Sequence, residues 1–149
     1  MKQVQIFDAT GGTGLVIGDN SASPSAGTAA VPRGFIIDLS PSFDAEVEIV
    51  PLCQSASVAT FDRKNESSSI SVTCDYQFTS ESERDNFILG LQDRIKLLVH
   101  VRIAVDTTVW WLPAASSRPV SARPIGDVAC VVNYNFRGKR MQQTQPANI

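Results

Sequence analysis

Four segments of this chain alternate apolar and polar side chains with a period of two, and that repeat limits the fold more than any motif does. Ile70, Val72, Cys74, Tyr76 and Phe78 share one face, while Ser71, Thr73, Asp75 and Gln77 share the other. An extended strand turns successive side chains to opposite sides, so the pattern buries one face of a sheet and wets the other. The same period sets Phe43, Ala45, Val47 and Ile49 against Asp44, Glu46 and Glu48. It also sets Leu97, Val99, Val101, Ile103 and Val105 against Leu98, His100, Arg102 and Ala104, and Val128, Cys130, Val132, Tyr134 and Phe136 against Ala129, Val131, Asn133 and Asn135. Shorter candidates at residues 3–7, 35–39, 57–61 and 109–112 bring the expected strands to about eight, predicting a mainly β (α+β) fold, an antiparallel β-sandwich or barrel. The polar stretch 62–68 reads as the turn of a hairpin between 57–61 and 70–78.

One segment has the helical period. Ser80 stands where it can cap, and Glu83 three residues on can reach back in a capping box. Phe87, Ile88, Leu91 and Ile95 then fall on one face, with Arg84, Gln92 and Asp93 toward water, which predicts one α-helix flanking the sheet. A chain of 149 residues with 43% hydrophobic and 19% charged side chains suits a single β-rich domain spanning 1–149. Residues 11–32, rich in Gly, Ala, Ser and Thr, read as a long flexible loop, and residues 138–149 as an extended C-terminal tail.

Several classes of chemistry are disfavoured. A net charge of -2 gives no general attraction for a nucleic-acid backbone. No basic stretch leads into an apolar one at the start, and no run of apolar residues is long enough to span a bilayer, so neither a secretion signal nor a membrane span is expected. Cys53, Cys74 and Cys130 are odd in number and lack C-x-x-C spacing, which points to reduced, buried thiols rather than zinc or a disulfide framework. His100 is the only histidine, so no multi-histidine metal site exists; its place beside Arg102 on one strand face predicts a polar sheet surface. No metal, no cofactor and no catalytic residue is expected. V-Q-I-F-D-A-T-G-G-T-G at residues 4–14 resembles the glycine-rich turn of atypical short-chain dehydrogenases, G-A-T-G-x-T-G, with Asp8 at the first glycine. Pyrophosphate binding needs a helix directly after the glycines, whereas Leu15, Val16 and Ile17 run into Gly18, Asp19, Asn20 and Ser21.

Two surface features remain. Asp44, Glu46 and Glu48 space carboxylates about 7 Å apart along one strand face, either a solvated face or a negative stripe that repels passing nucleic acid. Trp110 and Trp111 point to opposite faces of a strand, so one of them is expected to meet a helix, a partner or a sugar ring.

Three stretches carry a family resemblance: S-I-S-V-T-C-D-Y-Q-F at residues 69–78, S-E-S-E-R-D-N-F-I-L-G at 80–90 and V-V-N-Y-N-F-R-G at 131–138. Their order resembles the tail-tube and distal-tail structural proteins of long-tailed bacteriophages. The resemblance implies a non-enzymatic virion protein, assembled in the bacterial host cytoplasm as a homo-oligomeric ring or tube with other phage tail proteins. DNA would be only a non-specific passing cargo. It further implies subunit contacts by the loop and tail through Leu15, Val16, Ile17, Arg137, Lys139 and Arg140, with Asp44, Glu46 and Glu48 facing the channel. Two other readings stay open: a ligand- or carbohydrate-binding β module using Trp110 or Trp111, and a small hydrolase built around His100 or a cysteine.

Overall fold

The computed structural model describes residues 1–9, 14–51, 58–117 and 120–146, with side chains left out of the description at 42–51 and 58–66. In chain order the elements are β1 (Lys2–Asp8), β2 (Leu15–Asp19), β3 (Phe35–Pro51), β4 (Val58–Gln77), α1 (Glu81–Lys96), β5 (Leu98–Val105), β6 (Thr108–Leu112), β7 (Ser116–Ser117), β8 (Ser121–Ile125) and β9 (Ala129–Lys139). They form two antiparallel sheets: a four-stranded one ordered β2-β1-β5-β6, and a five-stranded one in which β3, β4 and β9 are followed by β7 and β8 side by side along β9. The fold is mainly β with one helix, as the alternation predicts.

The core lies between the sheets. Ile70, Val72, Cys74 and Tyr76 of β4 and Cys130, Val132, Tyr134 and Phe136 of β9 are buried, opposite Val4, Ile6, Val101, Ile103 and Leu112 of the other sheet. Each such aliphatic side chain contributes roughly 1.5–3 kcal/mol by leaving water. At the centre the Tyr76 hydroxyl donates to the Ile17 carbonyl at 2.6 Å and lies 2.8 Å from the Tyr134 hydroxyl, tying one sheet to the other through polar groups.

Five features of the strands, loop, tail and helix depart from the sequence expectations. Residues 57–61 and 70–78 do not form a hairpin, because β4 runs unbroken from Val58 to Gln77 and pairs with β3 instead. The expected turn is an irregularity within that strand: Ala45 faces Glu66 and Val47 faces Asp62, so β4 carries two residues more than β3 there. The expected loop contains β2, which pairs with β1, and Ile17 is fully buried. Close passage of the chain over β2 requires Gly34, since a Cβ there would collide with the Ile17 carbonyl. Farther along, the loop is pinned where Gly27 bridges Phe78. The expected tail is partly docked: β9 continues to Lys139, Met141 is buried, its N–H donates to the Ser68 hydroxyl at 3.1 Å, and Gln142 bridges Trp111.

The fourth and fifth departures lie in α1. Ser80 caps it, its hydroxyl accepting from the Glu83 N–H at 3.2 Å, but Glu83 does not return the bond; its carboxylate accepts from the Ala29 N–H at 2.7 Å. Phe87 and Leu91 are buried and Ile88 and Ile95 half-buried, as the helical face predicts. Arg84, expected toward water, is 7% exposed. Its guanidinium donates to the Gly126 carbonyl at 2.9 Å, in the β8–β9 turn where Gly126 takes a φ of 60° that favours glycine.

Candidate interaction edges

A sheet can recruit a partner only where backbone groups at its edge are unspent. The four-stranded sheet has largely spent them. At β6, the Trp111 N–H donates to the Gln142 carbonyl at 2.7 Å, the Gln142 N–H returns a 2.9 Å bond, and the Pro113 carbonyl accepts from Lys139 at 3.0 Å. At β2, Asp19 donates to the Gly34 carbonyl at 2.9 Å, and the Asn20 side chain clasps Ile36 through both its amide atoms at 3.0 and 2.8 Å. Its own chain therefore covers this sheet on both sides.

The five-stranded sheet is different. Among the described residues β8 pairs with β9 alone and is exposed at Ser121, Arg123, Pro124 and Ile125. On the opposite side, β3 pairs with β4 as far as Pro51 and Val58, whereas β9 ends its pairing with β4 at Ser67 and Lys139. Beyond that point, among the described residues, the two strands pair only with each other, a ribbon reaching about 23 Å for the seven residues 45–51 at about 3.3 Å per residue. A two-stranded ribbon is marginally stable without a third strand or a packing surface.

Beside the β8 edge runs a groove of about 600 Å³, walled by Ile88, Leu91 and Ile95 of α1 on one side and by Val120 and Ala122 on the other. Ser117 lines it and is 5% exposed, and among the described residues its hydroxyl has no hydrogen-bond partner. A buried hydroxyl left unpaired is destabilising by about 1–3 kcal/mol. The helical face that pointed at Ile88 and Ile95 was legible in the sequence, but nothing there marked the groove.

The residues singled out from the sequence do not converge. Leu15 and Val16 are half-buried in β2, and Ile17, buried in the chain's own core, is not available to a neighbouring subunit. Arg137, Lys139 and Arg140 are exposed on or just after β9, in the other sheet. Asp44, Glu46 and Glu48 belong to the ribbon, and their side chains lie outside the described residues. Trp110 and Trp111 do face opposite ways, but Trp111 is only 7% exposed and packs on Phe7 with ring centroids 5.4 Å apart. It therefore presents no open face to a sugar, and Trp110 is half-buried against the core.

Among the described residues the chemistry-bearing side chains are likewise enclosed; Cys53 lies outside them. His100, expected on a polar surface, is 8% exposed beside Phe7; its Nδ1 has no partner, and burial lowers its pKa. Both faces of β5 are covered, which the alternation of β5 alone does not reveal. Burial pushes the Cys74 thiol up to about 12 and the Cys130 thiol up to about 11, so neither is a thiolate nucleophile at neutral pH. The glycine-rich motif joins two antiparallel strands, β1 and β2, rather than a strand and a helix. Among the described residues no three His, Cys, Asp or Glu side chains group to hold a metal, and no helix is long and apolar enough to cross a membrane.

No protein-family model matches the sequence, and no curated protein matches it. Solved structures do share the fold. A chain from the tail of an empty gene transfer agent particle, obtained by helical refinement with C6 symmetry, superposes with a TM-score of 0.52 at 14% identity, covering 96% of each chain. A chain of the virion of a native gene transfer agent particle superposes with a TM-score of 0.50 at 11% identity, covering 96% of this chain and 95% of the other.

Proposed function

We propose that this chain is a non-enzymatic structural subunit of a phage-like tail, self-assembling into a tail tube or distal-tail ring within a virion and enclosing a channel through which DNA passes without specific contacts. The observation that carries the reading is the fold shared end to end with a chain of a gene transfer agent tail. The physical form agrees with it. A four-stranded sheet largely covered by its own chain keeps the subunit intact, while among the described residues β8 and the ribbon offer edge backbone on the other sheet, the start of β3 being taken at Ile36 by the Asn20 side chain. Two different edges joined head to tail make a heterologous contact, which closes into a ring when the rotation between copies divides a full turn. The net charge of -2 suits a channel that does not hold DNA.

Negative-stain electron microscopy with sedimentation velocity on the purified chain tests this. Rings or stacked rings are expected, stacks favouring a tube and single rings a distal-tail position. Removing residues 44–64 deletes most of the ribbon and leaves residues 67–77, which pair with β9. That variant is expected to keep its near-ultraviolet circular dichroism and lose the rings. A full-length chain that stays monomeric at every concentration, alone and with other tail proteins, would falsify the proposal.

A further inference from the structure

We propose that the outward face of α1 pairs with the same face of a second copy, the two helices running antiparallel and coming closest at Gly90. The contact goes beyond the tail role proposed above and does not depend on it.

The argument begins with two residues that the chain's own packing does not explain. Phe87 and Leu91 turn into the core, while Asn86, Leu89, Gly90, Asp93 and Leu97 are exposed, and their spacings of three and four residues place them on one face of the helix. Leu89, at 63%, is the most exposed large apolar side chain among the described residues. Beside it stands Gly90, a residue that weakens the interior of a helix. Every other described glycine has a reason inside the chain: a Cβ at Gly14, Gly18, Gly27, Gly34 or Gly138 would collide with neighbouring atoms, and Gly126 has a positive φ. Around Gly90, among the described residues, nothing lies within 4 Å of where a Cβ would stand. A bare stretch of helix backbone next to a projecting leucine is the shape that admits another backbone at close range.

The occupant that fits is a second α1, because the face complements itself. At about 100° and 1.5 Å per residue, an antiparallel pair centred between Leu89 and Gly90 sets Leu89 against Leu89 of the second copy and Gly90 against Gly90. The same twofold brings Asn86 level with Asp93 of the second copy, and Asp85 to Lys96, so a hydrogen bond and an ion pair each form twice. All four of these side chains are exposed. A crease beside Gly90, walled by Leu15 and Ala29, adds apolar surface to the contact. One helix face is a small contact against the roughly 1,200 Å² that stable complexes bury, so the pair is weak and reversible. Such a twofold pair has no direction, whereas a tube joined head to tail has one; the helix pair therefore belongs to free subunits.

Crosslinking tests the pair. Cys53→Ser leaves the buried Cys74 and Cys130 as native thiols; Leu89→Cys is then added, and the folded protein is treated with a short bismaleimide at rising concentration. A covalent dimer is expected, well above that from Gln92→Cys, which lies on the side of the helix facing the groove at β8. Gly90→Gln in the Leu89→Cys chain should cut the yield at least about fivefold, because a side chain is forced into the closest approach. The same change should raise the Tm, because glycine leaves the helix, and a purely structural role for Gly90 would not lower the yield. Asp85→Lys and Lys96→Asp should each lower the yield about two- to fivefold and together restore most of it, with circular dichroism verifying the fold of each variant. Equal yields from Leu89→Cys and Gln92→Cys, or an unchanged yield with Gly90→Gln, overturn the helix pair, whatever else covers this face. Rings in the microscope without the crosslink leave the assembling role in place, and the crosslink without rings leaves the helix pair in place.

Discussion

Replacing Tyr76 with Phe is expected to destabilise the fold more than replacing Tyr134, although the two hydroxyls share one hydrogen bond. The Ile17 carbonyl can only accept, so the Tyr76 proton is committed to it at 2.6 Å and Tyr134 must donate to Tyr76 at 2.8 Å. Both rings are about 2% exposed, so no water compensates, and burial holds both phenols well above their ordinary pKa. Tyr76→Phe leaves a carbonyl without its donor and the Tyr134 hydroxyl without its acceptor, two unsatisfied buried groups that together destabilise by about 2–4 kcal/mol. Tyr134→Phe leaves the Tyr76–Ile17 bond intact and destabilises by about 1 kcal/mol. The double variant strands only the carbonyl, so it should fall between the two, at about 2 kcal/mol, and be more stable than Tyr76→Phe alone. Urea unfolding at concentrations below association measures all three, with a constant slope required for comparison. Equal losses for the single variants, or a double variant that loses their sum, would refute the directional chain of bonds.

Other outcomes follow from the same contacts. Ser80→Ala removes the cap of α1 and should lower stability by about 1 kcal/mol. Glu83→Ala strips the acceptor from the Ala29 N–H, and its distinctive result should be faster hydrogen exchange at Ala29 and Gly27, with proteolytic nicking between residues 21 and 31. His100 is buried with its pKa lowered below the ordinary value of 6.5, so the folded state binds a proton less readily than the unfolded chain. The sign is fixed: this part of the stability is present above pH 6.5 and is lost as the pH falls below it, so the Tm should drop between pH 7 and pH 5 by less in His100→Phe than in the wild type. An unchanged slope would exclude His100 as the source. Cys74 and Cys130, with thiols pushed up to about 12 and about 11, should resist a maleimide in the folded protein and react once urea unfolds it, as mass spectrometry of the labelled peptides will record.

Much of the fold could be read from local pattern. Side-chain direction in a strand depends only on parity, so the inner faces of β4 and β9 were legible residue by residue, and Ser80 marked the helix start through a bond three residues long. The candidate surfaces were far less legible. Ile17 lies in a stretch whose composition reads as loop, and it became core because Tyr76, far along the chain, reaches its carbonyl. Trp111 and His100 sit at positions that alternation alone leaves open to water, and they are buried by residues from other strands.

By itself the sequence determined the class of structure: a sheet protein with a capped helix and with Cys74 and Cys130 inside. Only the tertiary structure decided that two strand segments in line are one long β4, that Arg84 turns inward to the Gly126 carbonyl, and that the tail covers the β6 edge through Gln142 while β8, among the described residues, pairs with β9 alone. The reason is one of range. A residue's neighbours along the chain set which way it points, but whether that side is covered, and whether a backbone edge is spent, depends on segments brought together from far apart in the sequence.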